Sequence, residues 1–333
     1  MIEKAAVLGA GSWGTALSLA LADRGLEVTT YGNEPKVAED LNTNHRNSKY
    51  LPDVDLPTNV KGSVDIGDVI DKPLILMVVP SQVARIVLKD VAAAGIPEST
   101  LLLTCTKGID PSTGKLMHQL IEEIFPNNPI AVLSGPSHAE EVANRMATAA
   151  VIGCADVAVA ERVQEVFTLP WFRTYTSEDV VGIELGSTVK NVFAIAAGII
   201  DGLGLGDNTK AAMVTRGLAE MTRLGTALGG KPETFRGLSG IGDLIVTCYS
   251  VHSRNNRFGR LLGEGKTLDE AIATVTQVAE GVPNAKNTFE MARKLNVRTP
   301  LIDEVYAVLF EKKSTTEALE SLLNRDLRAE DED

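Results

Sequence analysis

What this chain of 333 residues has little of sets its first bounds. Cysteine is scarce. Cys105, Cys154 and Cys248 are odd in number and widely spaced, so they form neither a metal-ligand motif nor an evident disulfide framework. They fit buried thiols in a reducing compartment, and no metal is expected. Positive charge is also short: 32 Lys and Arg against 44 Asp and Glu leave a net charge of -12. No global positive field is available to draw in nucleic acid, and an anionic small molecule would need a local cluster of cations. Long apolar runs are missing too. The stretch Val192 to Ile200 is too short to span a bilayer. The N-terminus enters its first apolar run without the basic region and apolar core of a signal peptide. No internal repeat is evident. The expectation is a cytoplasmic enzyme with no stable membrane anchor. Its hydrophobic content of 44% over this length supplies core for about two domains.

The glycines that are present are placed informatively. The apolar run Ala5 to Leu8 feeds into Gly9-x-Gly11-x-x-Gly14, and helix-forming residues Thr15 to Ala22 follow. Strand, tight turn and helix in that order let main-chain N–H groups and a helix N-terminus face a pyrophosphate. Gly9 permits the sharp turn. Gly11 removes the side chain that would block a phosphate, and Gly14 lets helix and strand pack closely. A glycine-rich turn without a ligand remains the alternative.

The first half alternates strand and helix. Leu26 to Tyr31, Leu74 to Val79, Leu101 to Thr104 and Ile130 to Leu133 are strand candidates, apolar enough for a parallel sheet covered on both faces. Pro80 ends one and Ser81 opens the next helix. The turns Lys107-Gly108 and Ser134-Gly135-Pro136-Ser137 would line the crevice at the strand ends. Ser137 with Glu140 reads as a capping box that starts a helix. The prediction is an α/β Rossmann domain, doubly wound and mostly parallel, over 1–180. From Gly182 the patterns turn helical, which predicts an all-α domain over 181–326. Thr267 with Glu270 and Ser314 with Glu317 read as capping boxes, and Thr299-Pro300 as a cap followed by the first helical position. Residues 327–333 read as an acidic tail.

Leu185 to Ile200 carries one charged residue, Lys190. A helix this apolar all round is largely buried, and lysine is rarely buried without a reason. Desolvation lowers a lysine pKa toward the range of a general base or acid. A lysine that snorkels to the surface or pairs with one carboxylate is the other reading.

A third signal is electrostatic. No acidic residue occurs from Leu244 to Gly263, while Arg254, Arg257 and Arg260 do, beside Ser253, Asn255 and Asn256. Arginine forks at a helix start suit a phosphate oxyanion. Arg257 and Arg260 read equally well as a solvated basic face.

The segments Gly9-Ala-Gly-Ser-Trp-Gly-Thr-Ala16, Val132-Leu-Ser-Gly-Pro-Ser137, Val181-Gly-Ile-Glu-Leu-Gly-Ser-Thr-Val-Lys-Asn-Val192, Thr215-Arg-Gly-Leu-Ala-Glu-Met-Thr-Arg-Leu-Gly225, Gly240-Ile-Gly-Asp-Leu244, Ser253-Arg-Asn255 and Val278-Ala-Glu-Gly281 stand in order. Together they closely resemble the bacterial NAD(P)-dependent sn-glycerol-3-phosphate dehydrogenases, to about residue 325. The resemblance implies a Rossmann domain and an all-α C-terminal domain of the 6-phosphogluconate-dehydrogenase-like type. It implies reversible hydride transfer between NADP or NAD and carbon 2 of glycerol 3-phosphate, giving dihydroxyacetone phosphate, in the supply of glycerol 3-phosphate for phospholipid synthesis. By position, Lys190 matches the family's proton acceptor and Lys107 a second catalytic lysine. Substrate contacts would be Lys107, Gly135, Ser137, Lys190, Asp243, Ser253, Arg254 and Asn255. Cofactor contacts would be the glycine turn with Ser12 and Trp13, then Asn33, Lys107, Ala139, Arg254, Val278 and Glu280.

One departure touches the cofactor. The family often has Arg or His just past the second strand, which suits a 2′-phosphate, whereas this chain reads Tyr31-Gly32-Asn33-Glu34. Glu34 lies near where an NAD-selecting acid is expected, and a carboxylate there would repel a 2′-phosphate. Arg46 and Lys49 could supply cations instead. A homodimer is compatible with the helical half, although helical periodicity alone does not separate an interface from a core. Two other readings stay open: a dehydrogenase of the same build for another hydroxy acid or alcohol, and a nucleotide-binding sensor. The acid-free stretch favours a phosphorylated substrate over the first, and the pair Lys107 and Lys190 disfavours the second.

Overall fold

Strand β1 (Lys4–Leu8) sends Ala5 and Val7 into one apolar core and Ala6 and Leu8 into another. The two-residue period of a strand does this when both faces are packed. The computed structural model describes residues 2–275, 279–327 and 329–330. The further strands are β2 (Glu27–Tyr31), β3 (Arg46–Asn47), β4 (Leu51–Asp55), β5 (Val60–Ser63), β6 (Leu74–Met77), β7 (Leu101–Thr104), β8 (Ile130–Ser134), β9 (Thr148–Gly153) and β10 (Phe172–Ser177). Eight of them form one sheet in the order β10-β9-β8-β7-β6-β1-β2-β5, and β3 with β4 makes a separate hairpin. Every pair in the large sheet is parallel except β8 with β9. β6 and β7 repeat the alternation of β1: Leu74, Leu76, Leu101 and Leu103 face one core, Ile75, Met77 and Leu102 the other.

The chain lays β2 and β5 on one side of β1, then crosses to lay β6 on the other. Strand order therefore reverses between β1 and β6, and the crevice beyond their C-terminal ends is where doubly wound sheets take ligands. The glycine turn leaves β1 at that point.

Residues Met1–Val180 and Val181–Asp333 form two compact units. The second is helical throughout its described residues. Its first helix, Val180–Gly202, is long and apolar enough to cross a membrane, yet its apolar window lies wholly inside the protein. The burial runs without a break from Gly182 to Ile200, so it is the core helix of this unit. The helices Gly206–Ala227, Asp243–Tyr249, Arg254–Gly263, Gly281–Lys294, Pro300–Phe310 and Thr315–Leu323 follow, with shorter pieces between.

The caps test the sequence reading residue by residue. Thr267 with Glu270 and Ser314 with Glu317 form complete capping boxes. Ser137 does not. Its helix runs Ala139–Ala143 with His138 at the cap, and the Ser137 hydroxyl donates to the Gly135 carbonyl at 3.0 Å. The hydroxyl closes the turn and is lost to the cap. Pro300 does open its helix after Thr299, but the Thr299 hydroxyl donates to Asp303 Oδ1. The main-chain N–H groups of Leu301 and Ile302 instead donate to the two oxygens of the buried Glu220 carboxyl group, at 2.7 and 3.2 Å. All three cysteines are free and buried. Burial pushes the Cys248 thiol up to about 12, and raises Cys105 further.

Candidate active site

The glycine turn is built by backbone crowding on two sides and open space on the third. Gly9 has φ +121°, and a Cβ there would sit 2.9 Å from the Val78 carbonyl carbon, just past β6. A Cβ on Gly14 would stand 1.8 Å from the Gly9 carbonyl oxygen. Neither position tolerates a side chain. Gly11 differs, because a Cβ there would meet nothing within 4 Å. Gly11 is the N-cap of the helix Ser12–Asp23, and no side chain caps that helix. Room at Gly11 beside an uncapped helix N-terminus fits the pyrophosphate of a dinucleotide. Ser12 is buried in the first turn. Trp13 is half-buried, packs against the core beneath the sheet, and keeps its Nε1 buried without a hydrogen-bond partner.

Beyond β2, the chain reaches Asn33, which is exposed. Glu34 is half-buried, and Lys49 and the Tyr50 hydroxyl both donate to its carboxylate. Arg46 pairs with Asp55. The two cations that the sequence offers to a 2′-phosphate are therefore each paired with an acid.

The turns after β7 and β8 meet. Lys107 is half-buried, and its Nζ donates to the Gly135 carbonyl at 3.2 Å. Gly135 has φ +143°, and a Cβ there would press to 2.9 Å from Ala150 Cα. The antiparallel β8–β9 pair brings Ala150 close, and only glycine fits. Lys107, Gly135 and Ser137 thus form one cluster, with Ala139 buried at the start of the next helix.

In the second unit, Lys190 is 5% exposed and forms a buried ion pair with Asp243, itself 1% exposed. Its Nζ also donates to Thr247 Oγ1 at 2.8 Å. The Thr247 hydroxyl gives its own proton to the Asp243 main-chain oxygen at 2.6 Å, so its lone pair faces the ammonium. Thr247 was not among the residues singled out by the sequence. Its signal was there: it stands four positions after Asp243, on the same helix face. A π turn, Leu238–Gly242, delivers Asp243 to this place, a device often found at functional sites. Gly186, one turn before Lys190, admits it, since a Cβ there would lie 2.5 Å from the Ser239 carbonyl oxygen.

The arginine-rich segment is the helix Arg254–Gly263, and Ser253 caps it by accepting from Asn256 N–H at 3.2 Å. This helix crosses the Lys190 helix main chain to main chain. A Cβ on Gly198 would lie 2.0 Å from the Asn256 carbonyl oxygen, and one on Gly259 equally close to that of Ile195. Arg254 is half-buried at the helix start, while Arg257 and Arg260 are exposed. Arg260 faces Asp201 at 3.6 Å, so these two belong to the solvated face. Asn255 is buried with both ends of its amide engaged. Its Nδ2 donates to Asn191 Oδ1 and its Oδ1 accepts from Gly281 N–H, each at 2.9 Å. Asn191, next to Lys190, is a second residue that the sequence reading missed. Asn256 and Lys210 both donate to Asp201. Lys210 is therefore a second buried lysine, here stapled in place by a carboxylate. Glu280 is half-buried at the cap of Gly281–Lys294. Val278 lies outside the described residues. Among the described residues no group of His, Cys, Asp and Glu could hold a metal.

Comparison with known proteins agrees with this division. The family description NAD-dependent glycerol-3-phosphate dehydrogenase N-terminus matches residues 4–160, and its C-terminus counterpart matches residues 179–320. A glycerol-3-phosphate dehydrogenase [NAD(P)+] of Listeria monocytogenes is 47% identical, covering 99% of this chain and 98% of its own. One from Bacillus cytotoxicus is 46% identical over 97% of this chain and 96% of its own. The crystal structure of glycerol-3-phosphate dehydrogenase from Coxiella burnetii superposes with a TM-score of 0.94 at 38% identity, covering 97% of this chain and 99% of that one.

Proposed function

Because the chain belongs to the NAD-dependent glycerol-3-phosphate dehydrogenase family, we propose that Lys190 is the proton-transfer residue of its reaction. It is an NAD(P)-dependent oxidoreductase that interconverts sn-glycerol 3-phosphate and dihydroxyacetone phosphate. The observation that carries the assignment is a lysine buried in an apolar helix and fixed by Asp243 and Thr247. The bound nicotinamide supplies or accepts the hydride at carbon 2. In the oxidative direction the Lys190 amine takes the proton of the 2-hydroxyl as the C2–H bond breaks. In reduction its ammonium protonates the oxygen of the former ketone. Asp243 orients the Nζ, and the Thr247 hydroxyl, committed by its own hydrogen bond, limits the rotamers of the lysine. These two are positioning residues.

Lys107 is the second cation. Held against the Gly135 carbonyl, it stabilises negative charge that develops on the substrate oxygen, and Ser137 adds a hydroxyl beside it. Ser253, Arg254 and Asn255 hold the phosphate. Arg254 brings a guanidinium fork, and the helix start adds main-chain N–H groups. Asn255 contributes its main chain, because its side chain is engaged with Asn191 and Gly281. The glycine turn with Ser12 and Trp13 would hold the dinucleotide, and Ala139 and Glu280 would add further contacts.

The physiological direction is reduction in the cytoplasm, releasing glycerol 3-phosphate for phospholipid synthesis. The free, buried cysteines support a reducing compartment. The test is the loss of reduced-nicotinamide absorbance with dihydroxyacetone phosphate. Turnover that depends on the phosphorylated ketone supports the reading. A folded protein that binds nucleotide but shows no such turnover sinks it.

A further inference from the structure

The wall beside the glycine turn carries a carboxylate that the reaction described above does not use. β2 ends against the turn: Gly9 N–H donates to the Tyr31 carbonyl at 2.8 Å, and a Cβ on Gly32 would lie 2.9 Å from Ala10 Cβ. The end of β3 is tied to the same turn. Asn47, 1% exposed, donates through Nδ2 to the Ala10 carbonyl at 2.9 Å and to Thr15 Oγ1 at 2.7 Å. Glu34 stands between these two anchored pieces, with Lys49 on one carboxylate oxygen and the Tyr50 hydroxyl on the other.

We infer that Glu34 makes this chain select NADH over NADPH, by accepting the adenosine ribose hydroxyls and repelling a 2′-phosphate. The inference rests on the dinucleotide lying on the Gly9–Gly14 turn. An ionised carboxylate has about four acceptor positions, so two donors leave capacity for a ribose diol. Donation by Lys49 and then Tyr50 holds the Glu34 carboxyl below its ordinary value, so it is ionised at neutral pH. Lys49 is spent on Glu34 and Arg46 on Asp55, and Asn33 brings no charge. A 2′-phosphate here meets an acid whose neighbouring cations are already engaged, and like charges in one site disfavour the wrong ligand.

The test is direct titration of NADH and NADPH into the full-length protein by nicotinamide fluorescence, with kcat/KM for each as a second readout. NADH binds at least about tenfold tighter than NADPH, a difference of about 1.4 kcal/mol. Glu34→Gln keeps the size and an acceptor for Tyr50, removes the charge and releases Lys49. No side chain at position 34 caps the following helix, so the helix end is untouched. This variant narrows the preference by about tenfold, chiefly through tighter NADPH. Lys49→Met acts the other way and weakens NADPH further, because the carboxylate is then unopposed. Wild-type protein that binds NADPH as tightly as NADH overturns the inference. So does a Glu34→Gln preference within about twofold of wild type. Binding is read without substrate. Selective NADH binding without turnover of dihydroxyacetone phosphate would therefore count against the substrate assignment and in favour of this one.

Discussion

Thr247 accepts a hydrogen bond from Lys190 Nζ at 2.8 Å while donating its own proton to the main chain of Asp243. A hydroxyl used in both directions holds the amine in one place, and Asp243 completes the grip.

Removing the amine tests its role. Lys190→Ala lowers kcat by about a hundredfold to ten-thousandfold, the range for a positioned acid or base. The glycine turn lies in the other unit and is untouched, so nucleotide affinity stays within about twofold. Steady-state rates beside a fluorescence titration check both halves. Turnover at the wild-type rate would remove Lys190 from the mechanism.

Thr247→Val keeps the shape and deletes the acceptor. We expect kcat to fall about tenfold or more with KM nearly unchanged, and Thr247→Ser to restore most of the rate. The lost hydrogen bonds cost about 1 kcal/mol of stability. Measuring kcat, KM and thermal midpoint for both variants separates misplacement of the lysine from simple loosening of the fold.

The fingerprint glycines divide into two kinds. Gly14→Ala drives a methyl group into the Gly9 carbonyl and costs about 1–3 kcal/mol or more by overpacking. Gly11→Ala meets nothing, so stability falls only by the cost of alanine at a helix N-cap, about 1 kcal/mol or less, while nucleotide affinity falls. Denaturant curves and nucleotide titrations of the two variants should give opposite profiles. Equal affinity for nucleotide in Gly11→Ala would mean that the pyrophosphate lies elsewhere.

Glu220 makes stability depend on pH. Burial raises its carboxyl from 4.5 to about 8, against the pull of the Leu301 and Ile302 N–H groups. Between these values the folded protein holds a proton that the unfolded chain has lost. Stability therefore falls as pH rises from about 5 to 8, by at most about 1.4 kcal/mol per unit, and levels off above. Chemical denaturation across that range should show the slope in wild type, and Glu220→Gln should lack this contribution.

Much of this was legible in the chain. Gly9, Gly11 and Gly14 announce a turn by their spacing between an apolar run and a helix-forming run. Lys190 stands out because no other charge lies between Leu185 and Ile200, and the acid-free stretch sets Arg254 apart beside Ser253, a residue type suited to a helix start. What stayed hidden depends on partners far along the chain. No local pattern says that Asp243 faces Lys190, that Asn255 spends its amide on Asn191 and Gly281, or that β8 and β9 run antiparallel. Ser137 misled for the same reason. The motif for a capping box was present, but the turn it sat in claimed the hydroxyl first. Glu220 was likewise unreadable as a cap, since it serves a helix some eighty residues later.

The crossing of the helices Val180–Gly202 and Arg254–Gly263 has a geometric consequence. They touch through main-chain atoms at Gly198 and Gly259, so no rotamer change can alter their spacing. The interval between Lys190 and the Ser253–Asn255 helix start is thus a fixed gauge, set by backbone. A molecule gripped at one end by that helix start meets the lysine at one distance only. If that helix start holds the substrate phosphate, a homologue one carbon longer or shorter would present the wrong atom to Lys190. Chain-length discrimination would then reside in the backbone crossing rather than in the side chains around it.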